Sequence, residues 1–361
     1  DGKAFCIGTE MGYDCDPCTN PFKFDIPRVR PQNTDSKTGN MDFSGQVQRS
    51  FPDYEYNFYG ISAQPDMKIK AIDGWAGTIA FDPDDRYIVA GGGYFKDKTA
   101  LVLIDLVTGE ISHSFKGHET QVESVAISPD GKYMVSSDQS GKVIIWDFKE
   151  RKLKYEFKAH TDWVEGVAFS NNGRYAASAS RDHYLKIWDV TSGKEVRSMR
   201  SSWEIVSSLS FSPDDRKLLV GGIGTTDETA IWDIEGSKEL MSFDHFTRWT
   251  KAAVWSPDGA SFASAGDCDN EARISDAATG NIVETIESVN GCVEDVAFDP
   301  KGRYLAIASM WGIQIWDNSQ YANVFSAKTH GFPVEAILFS NTGKYLATAG
   351  RDGEVHVWIL Y

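Results

Sequence analysis

His160, Ser178 and Asp182 are the side-chain types of a nucleophilic triad, and they fall within twenty-three residues of one another. A histidine base, a hydroxyl and an orienting carboxylate are the parts of an acyl-transfer site. The set is not unique, however. His330, Thr348 and Asp352 repeat it at the same spacing, while His118 and Ser136 repeat two members, with Ser140 where the carboxylate is expected. A chain needs its active site once; a set that recurs in register is a structural network. The seven histidines form no His-Glu-x-x-His, and there is no phosphate loop. Gly91-Gly92-Gly93 reads as a close-packed strand end. The acidic turn Asp267, Asp269, Asn270, Glu271 matches no known calcium loop and reads as solvated. No catalytic residue, cofactor site or metal site is assigned.

Cysteine is the other reactive type. Cys6, Cys15 and Cys18 lie near the N-terminus, and Cys268 and Cys292 lie far along the chain. The Cys15-x-x-Cys18 pair lacks the histidine that covalent haem attachment requires. A zinc site would need a fourth ligand, and residues 1–65 hold no histidine. A disulfide from Cys6 to Cys15 or Cys18 is the expected use, and a Cys268–Cys292 bridge is geometrically open. With Asp1 at the start, these cysteines read as a processed, extracytoplasmic protein. No Asn-x-Ser/Thr acceptor occurs, which favours a bacterial source.

The elements that position all this are repeats. Trp-Asp stands at 146–147, 188–189, 232–233 and 316–317, with degenerate versions at 104–105, 275–276 and 358–359. A second mark precedes each one, at Phe81, Ile127, Phe169, Phe211, Trp255, Phe298 and Phe339, spaced by 41 to 46 residues. That period is what a four-stranded propeller blade needs. Within the third repeat, Val164 to Phe169, Tyr175 to Ser180, Tyr184 to Trp188 and Glu195 to Arg200 read as strands with Gly- and Asn-bearing turns between them.

These marks resemble the WD-repeat family over residues 66–361, and the expected fold is all-β, a seven-bladed propeller. The resemblance implies a hydrogen-bonded tetrad in many blades: His160, Ser178, Asp182 and Trp188 in the third, and His330, Thr348, Asp352 and Trp358 in the seventh. Met67 to Ala71 aligns on the outer strand Tyr155 to Ala159, so it is expected to complete the last blade and tie the ring shut. Residues 1–65 are expected to be an extended N-terminal arm. It carries three cysteines and ten aromatics, too many for a disordered linker.

Composition bounds the partners. A formal net charge of −16 argues against nucleic acid, and no apolar run reaches the roughly twenty residues of a membrane span. Five tryptophans outside the repeat positions, Trp75, Trp163, Trp203, Trp249 and Trp311, map with Phe246 and Phe332 to one face. The family resemblance implies that this face binds protein partners, while two or three of these rings are expected to fill the channel. The expected role is therefore a non-catalytic interaction subunit, contacting other protein subunits. A processed propeller subunit of this size is also similar to the propeller subunits of hydrazine synthase-like complexes, which implies haem-bearing partners; no local motif carries that likeness. The alternatives are a propeller enzyme or ligand binder using the central channel, and a cytosolic scaffold, which the arm cysteines oppose.

Overall fold

The computed structural model describes residues 61–360 apart from 94–99, 225–227, 248, 267–268 and 289. Cys6, Cys15, Cys18, Asp267, Cys268 and nearly all of the arm lie outside the described residues. Among the described residues every helix or strand is a strand, and the 28 strands form seven four-stranded antiparallel sheets. Six blades follow chain order, spanning 75–114, 122–158, 164–200, 205–243, 250–287 and 293–327. The seventh spans 334–359 and takes Met67–Lys70 as its outer strand, with Met67 opposite Val357 and Lys70 opposite Glu354.

Burial follows position in the blade. The second strand of the third blade, Tyr175–Ser180, is buried at all six positions, because sheets press on both of its faces. Its small residues, Ala176 to Ser180, let the neighbours approach. Outer strands such as Lys152–Lys158 are far wetter and carry the lysines and glutamates. Each apolar cluster joins neighbouring blades; one runs from Ile69 and Val357 at the closure to Ile79 and Ile104 in the first blade. Burial of this kind is the dominant favourable term in folding.

Adjacent blades are also matched through the turn after each inner strand. Pro83, Pro129, Pro213 and Pro257 each face a glycine of the next blade's turn, at Gly131, Gly173, Gly259 and Gly302. These glycines sit at φ between 65° and 73°, the left-handed region. Two turns have asparagine in place of the proline, at Asn171 and Asn341. There the next blade offers aspartate at the left-handed position, Asp215 (φ 61°) and Asp85 (φ 55°). Asp215 accepts the Asn171 and Asn172 amides at 2.5 and 2.9 Å, and Asp85 accepts those of Asn341 and Thr342 at 3.1 and 3.2 Å. The logic is chemical: proline has no N–H to give, so only an asparagine turn rewards a carboxylate. Asp215→Gly keeps the backbone conformation and strips the acceptor. Chemical denaturation is expected to show a loss of about 1–3 kcal/mol, and an unchanged midpoint would contradict the pairing rule.

Candidate functional site

The triad-like sets are locked into the blades. His160 Nε2 lies 2.8 Å from Ser178 Oγ, its Nδ1 lies 2.9 Å from Asp182, and Trp188 Nε1 donates to the same hydroxyl at 3.0 Å. The Ser178 hydroxyl and the His160 side chain are both buried. In the seventh blade His330 makes the same bonds, 2.9 Å to Asp352 and 2.8 Å to Thr348. Trp358 Nε1 is buried without a partner there, so this network has three members rather than the expected four.

The second blade corrects the sequence reading. Ser140 was expected to leave the network incomplete, yet His118 Nδ1 lies 2.7 Å from Asp138 and its Nε2 2.6 Å from Ser136. Trp146 Nε1 donates to Ser136 at 2.8 Å, and Ser140 Oγ donates to Asp138 at 2.6 Å. Asp and Ser have exchanged places relative to Ser180 and Asp182 of the third blade. The turn brings both positions to the histidine, so the carboxylate works from either one. Burial pushes the Asp138, Asp182 and Asp352 carboxyls up, but the histidine partners together with the neighbouring backbone and side-chain donors outweigh it and hold all three below the usual carboxylate range.

One cluster has metal-ligand types. His330, Asp352 and His356 bring donor atoms within 4.8 Å of one another. The two imidazoles stack in parallel, 3.8 Å apart and 8° from coplanar. A ring nitrogen's lone pair lies in the plane of its ring, and parallel planes share no point at which one ion could meet both. His356 instead bonds Thr329 and Glu354, at 2.5 and 2.8 Å. Asp269 is likewise taken by Thr247, and Glu271 by Arg273. Gly92 is the penultimate residue of its strand, where an added Cβ would stand 2.0 Å from Trp75 O, a close approach of backbones.

The seven face aromatics divide into three kinds. Trp203 and Phe246, expected on the partner face, are buried at 4% and 3% exposure. Glycines explain both: Cβ atoms added at Gly222 and Gly266 would meet those rings at 2.9 and 2.1 Å. Trp75, Trp163 and Trp249 are half-buried, each under a cation: Arg351, Arg181 and Lys251 at 4.6, 4.0 and 5.0 Å from the ring centres. Trp311 and Phe332, on the sixth and seventh blades, remain 56% and 57% exposed. Phe332 is presented between Gly331 and Pro333. Cys292 is a buried free thiol, and Cys268, its candidate partner, lies outside the described residues.

The mouth of the channel lies on the same face and was missed in the sequence. Every inner strand carries a β-bulge near its start, after the first paired residue in blades two, three, five, six and seven and after the second in blades one and four. The bulged residues are Glu123, Glu165, Glu294 and Glu335 in blades two, three, six and seven, Lys251 in blade five, and Gly77 and Ser207 in blades one and four. Glu335 acts electrostatically on Glu123 two blades away, which puts both side chains on the channel. Arg181 pairs with Glu165, Arg351 with Glu335, and Lys251 with Glu294 at 3.0 Å. The cations stacked on the three tryptophans are thus the ones that neutralise the ring.

Residues 109–147, 151–189 and 321–358 match the WD domain, G-beta repeat family. Each segment takes in the outer strand of the preceding blade and the first three strands of the second, third or seventh, the three blades that carry a histidine network. A relative, the U3 small nucleolar RNA-associated protein 15 homolog of Gallus gallus, is 24% identical over 131 residues. The match takes in 36% of this chain and 25% of the relative, so the chain spans about a quarter of that protein's length.

Proposed function

We propose that this seven-bladed propeller of WD40 repeats is a non-catalytic interaction subunit that holds a protein partner on its channel-mouth face. The observation that carries the reading is the exposure of Trp311 and Phe332 on adjacent blades. Large rings left in water on one face are what a binding hot spot requires, because covering them removes much area from solvent at small entropic cost. The triad-like histidines serve the blades instead. The Gallus relative is RNA-associated by name, but a net charge of −16 disfavours direct contact with phosphates. A place in a larger assembly, through proteins, is the common ground. No haem-bearing partner is proposed, since the WD repeats carry no mark of one. The test is native purification with mass spectrometry of co-purifying chains, comparing the wild type with Trp311→Ala/Phe332→Ala. A partner retained in full by the double variant would overturn the reading.

An extracytoplasmic setting is proposed on the cysteines of residues 1–18 alone. Alkylation under denaturing, non-reducing conditions is expected to leave at least two of the five cysteines blocked to reagent, while Cys292 reacts. Five reactive thiols would count against that compartment.

A further inference from the structure

Four of the seven bulge positions at the channel mouth hold glutamate, and three of those glutamates have a cation of their own. Glu123 is the exception among the described residues: its hydrogen bond comes from the neutral amide of Gln139, at 2.6 Å. Burial, and then the neighbouring Glu165 with a smaller push from Glu335, raise its carboxyl to about 7 against the Gln139 amide and the field of Arg181, which is itself paired with Glu165. Between the blades of Glu123 and Glu335 stands Gly77, and a Cβ added there would find no heavy atom within 4 Å. Its φ is not in the left-handed region. Among the described residues the ring therefore has a gap, flanked by a carboxylate with no cation paired to it, on the face that shows Phe332 one blade away.

We propose that the gap over Gly77 seats a lysine or arginine side chain of a protein partner, with its charge against Glu123 and its own chain lying over Phe332. This rests on the interaction role proposed above and adds the chemistry of what is bound. The charge balance favours a cation: among the described residues the mouth holds Glu123, Glu165, Glu294 and Glu335 against Arg181, Lys251 and Arg351, and each of those three cations is already paired. An acidic or purely apolar segment would leave Glu123 uncompensated. A cation favours the ionised carboxylate, so binding should release a proton, and affinity should rise with pH through about 7.

The test uses the full chain and a blocked pentapeptide, Gly-Phe-Arg-Phe-Gly, against the same peptide with neutral citrulline for arginine. Calorimetry at pH 6 and pH 8 reads affinity, and buffers of different ionisation enthalpy read proton release. The arginine peptide is expected to bind at least about tenfold more tightly than its citrulline twin, and more tightly at pH 8 than at pH 6. Glu123→Gln should remove both differences. Gly77→Arg, which supplies the cation internally, should block the peptide while circular dichroism shows a folded ring. Equal binding of the two peptides, binding of neither, or undiminished binding to Gly77→Arg would overturn the proposal. If Gly77→Arg keeps its natural partner while Trp311→Ala/Phe332→Ala loses it, the interaction role stands and the basic seat falls; if both variants keep the partner, both readings fall.

Discussion

Asp138→Ala is expected to destabilise the ring by about 1–3 kcal/mol, as much as Asp182→Ala, while Ser140→Ala should cost well under 1 kcal/mol. Asp138 is fully buried, accepts from His118 and Ser140, and fixes the ring whose other nitrogen meets Ser136. Removing it leaves a buried imidazole N–H with no acceptor. Ser140 only adds to a carboxylate that keeps its main partner. Urea denaturation of the three variants decides the matter, and a Ser140→Ala loss equal to that of Asp138→Ala would contradict the exchanged arrangement.

The same carboxylates set the response to acid. Asp138, Asp182 and Asp352 have folded pKa values depressed below the ordinary value, so their contribution is complete above about pH 4. It is lost as pH falls through the lower folded values. Glu123 and Asp295 act in the opposite sense. Burial raises both to about 7, so between about 4 and 7 the folded state binds more protons than the unfolded chain. The contribution of these two carboxylates should therefore increase from pH 8 to pH 5, opposed below about 6.5 by His113, His245 and His356, whose pKa values burial lowers. Stability should fall below about pH 4 as the three histidine-paired aspartates protonate. Glu123→Gln should flatten the first part of that profile and leave the acid limb in place.

Trp311→Ala with Phe332→Ala is expected to weaken partner binding by about 2 kcal/mol or more, roughly thirtyfold, with little change in monomer stability. Both rings are more than half in water in the isolated chain, so truncating them opens no cavity. Trp163→Ala and Trp249→Ala should behave differently. Each ring supports a cation that pairs with a channel glutamate, so their loss should destabilise the monomer by about 0.5–2 kcal/mol before any partner is added.

Much of the fold was legible because a blade repeats its turns and its Trp-Asp at fixed distance, and one strong mark recurring seven times outweighs weak local signals. The site was less so. The alignment of Ser140 on Asp182 treated positions as roles, but a short turn lets Asp138 reach the same histidine from two residues earlier. Trp203 and Phe246 looked like Trp311 and Phe332 because nothing in an aromatic's own position says whether a ring is covered. The signal lay elsewhere, in Gly222 and Gly266, whose missing side chains make room for those rings. The channel ring was readable only as a column down the repeats: the bulged residue of each inner strand, in blade order, reads Gly, Glu, Glu, Ser, Lys, Glu, Glu. Strand propensity takes no notice of that column, because a bulged residue leaves the ladder and is free to be charged.

The most direct test of the central claim is the affinity of the purified partner, measured side by side for wild type, Trp311→Ala/Phe332→Ala and Trp163→Ala/Trp249→Ala, each with its own denaturation curve. A loss of roughly thirtyfold or more is expected for the exposed pair at unchanged monomer stability, and a stability loss first for the half-buried pair. Wild-type affinity in the exposed-pair variant would mean that the partner uses another surface.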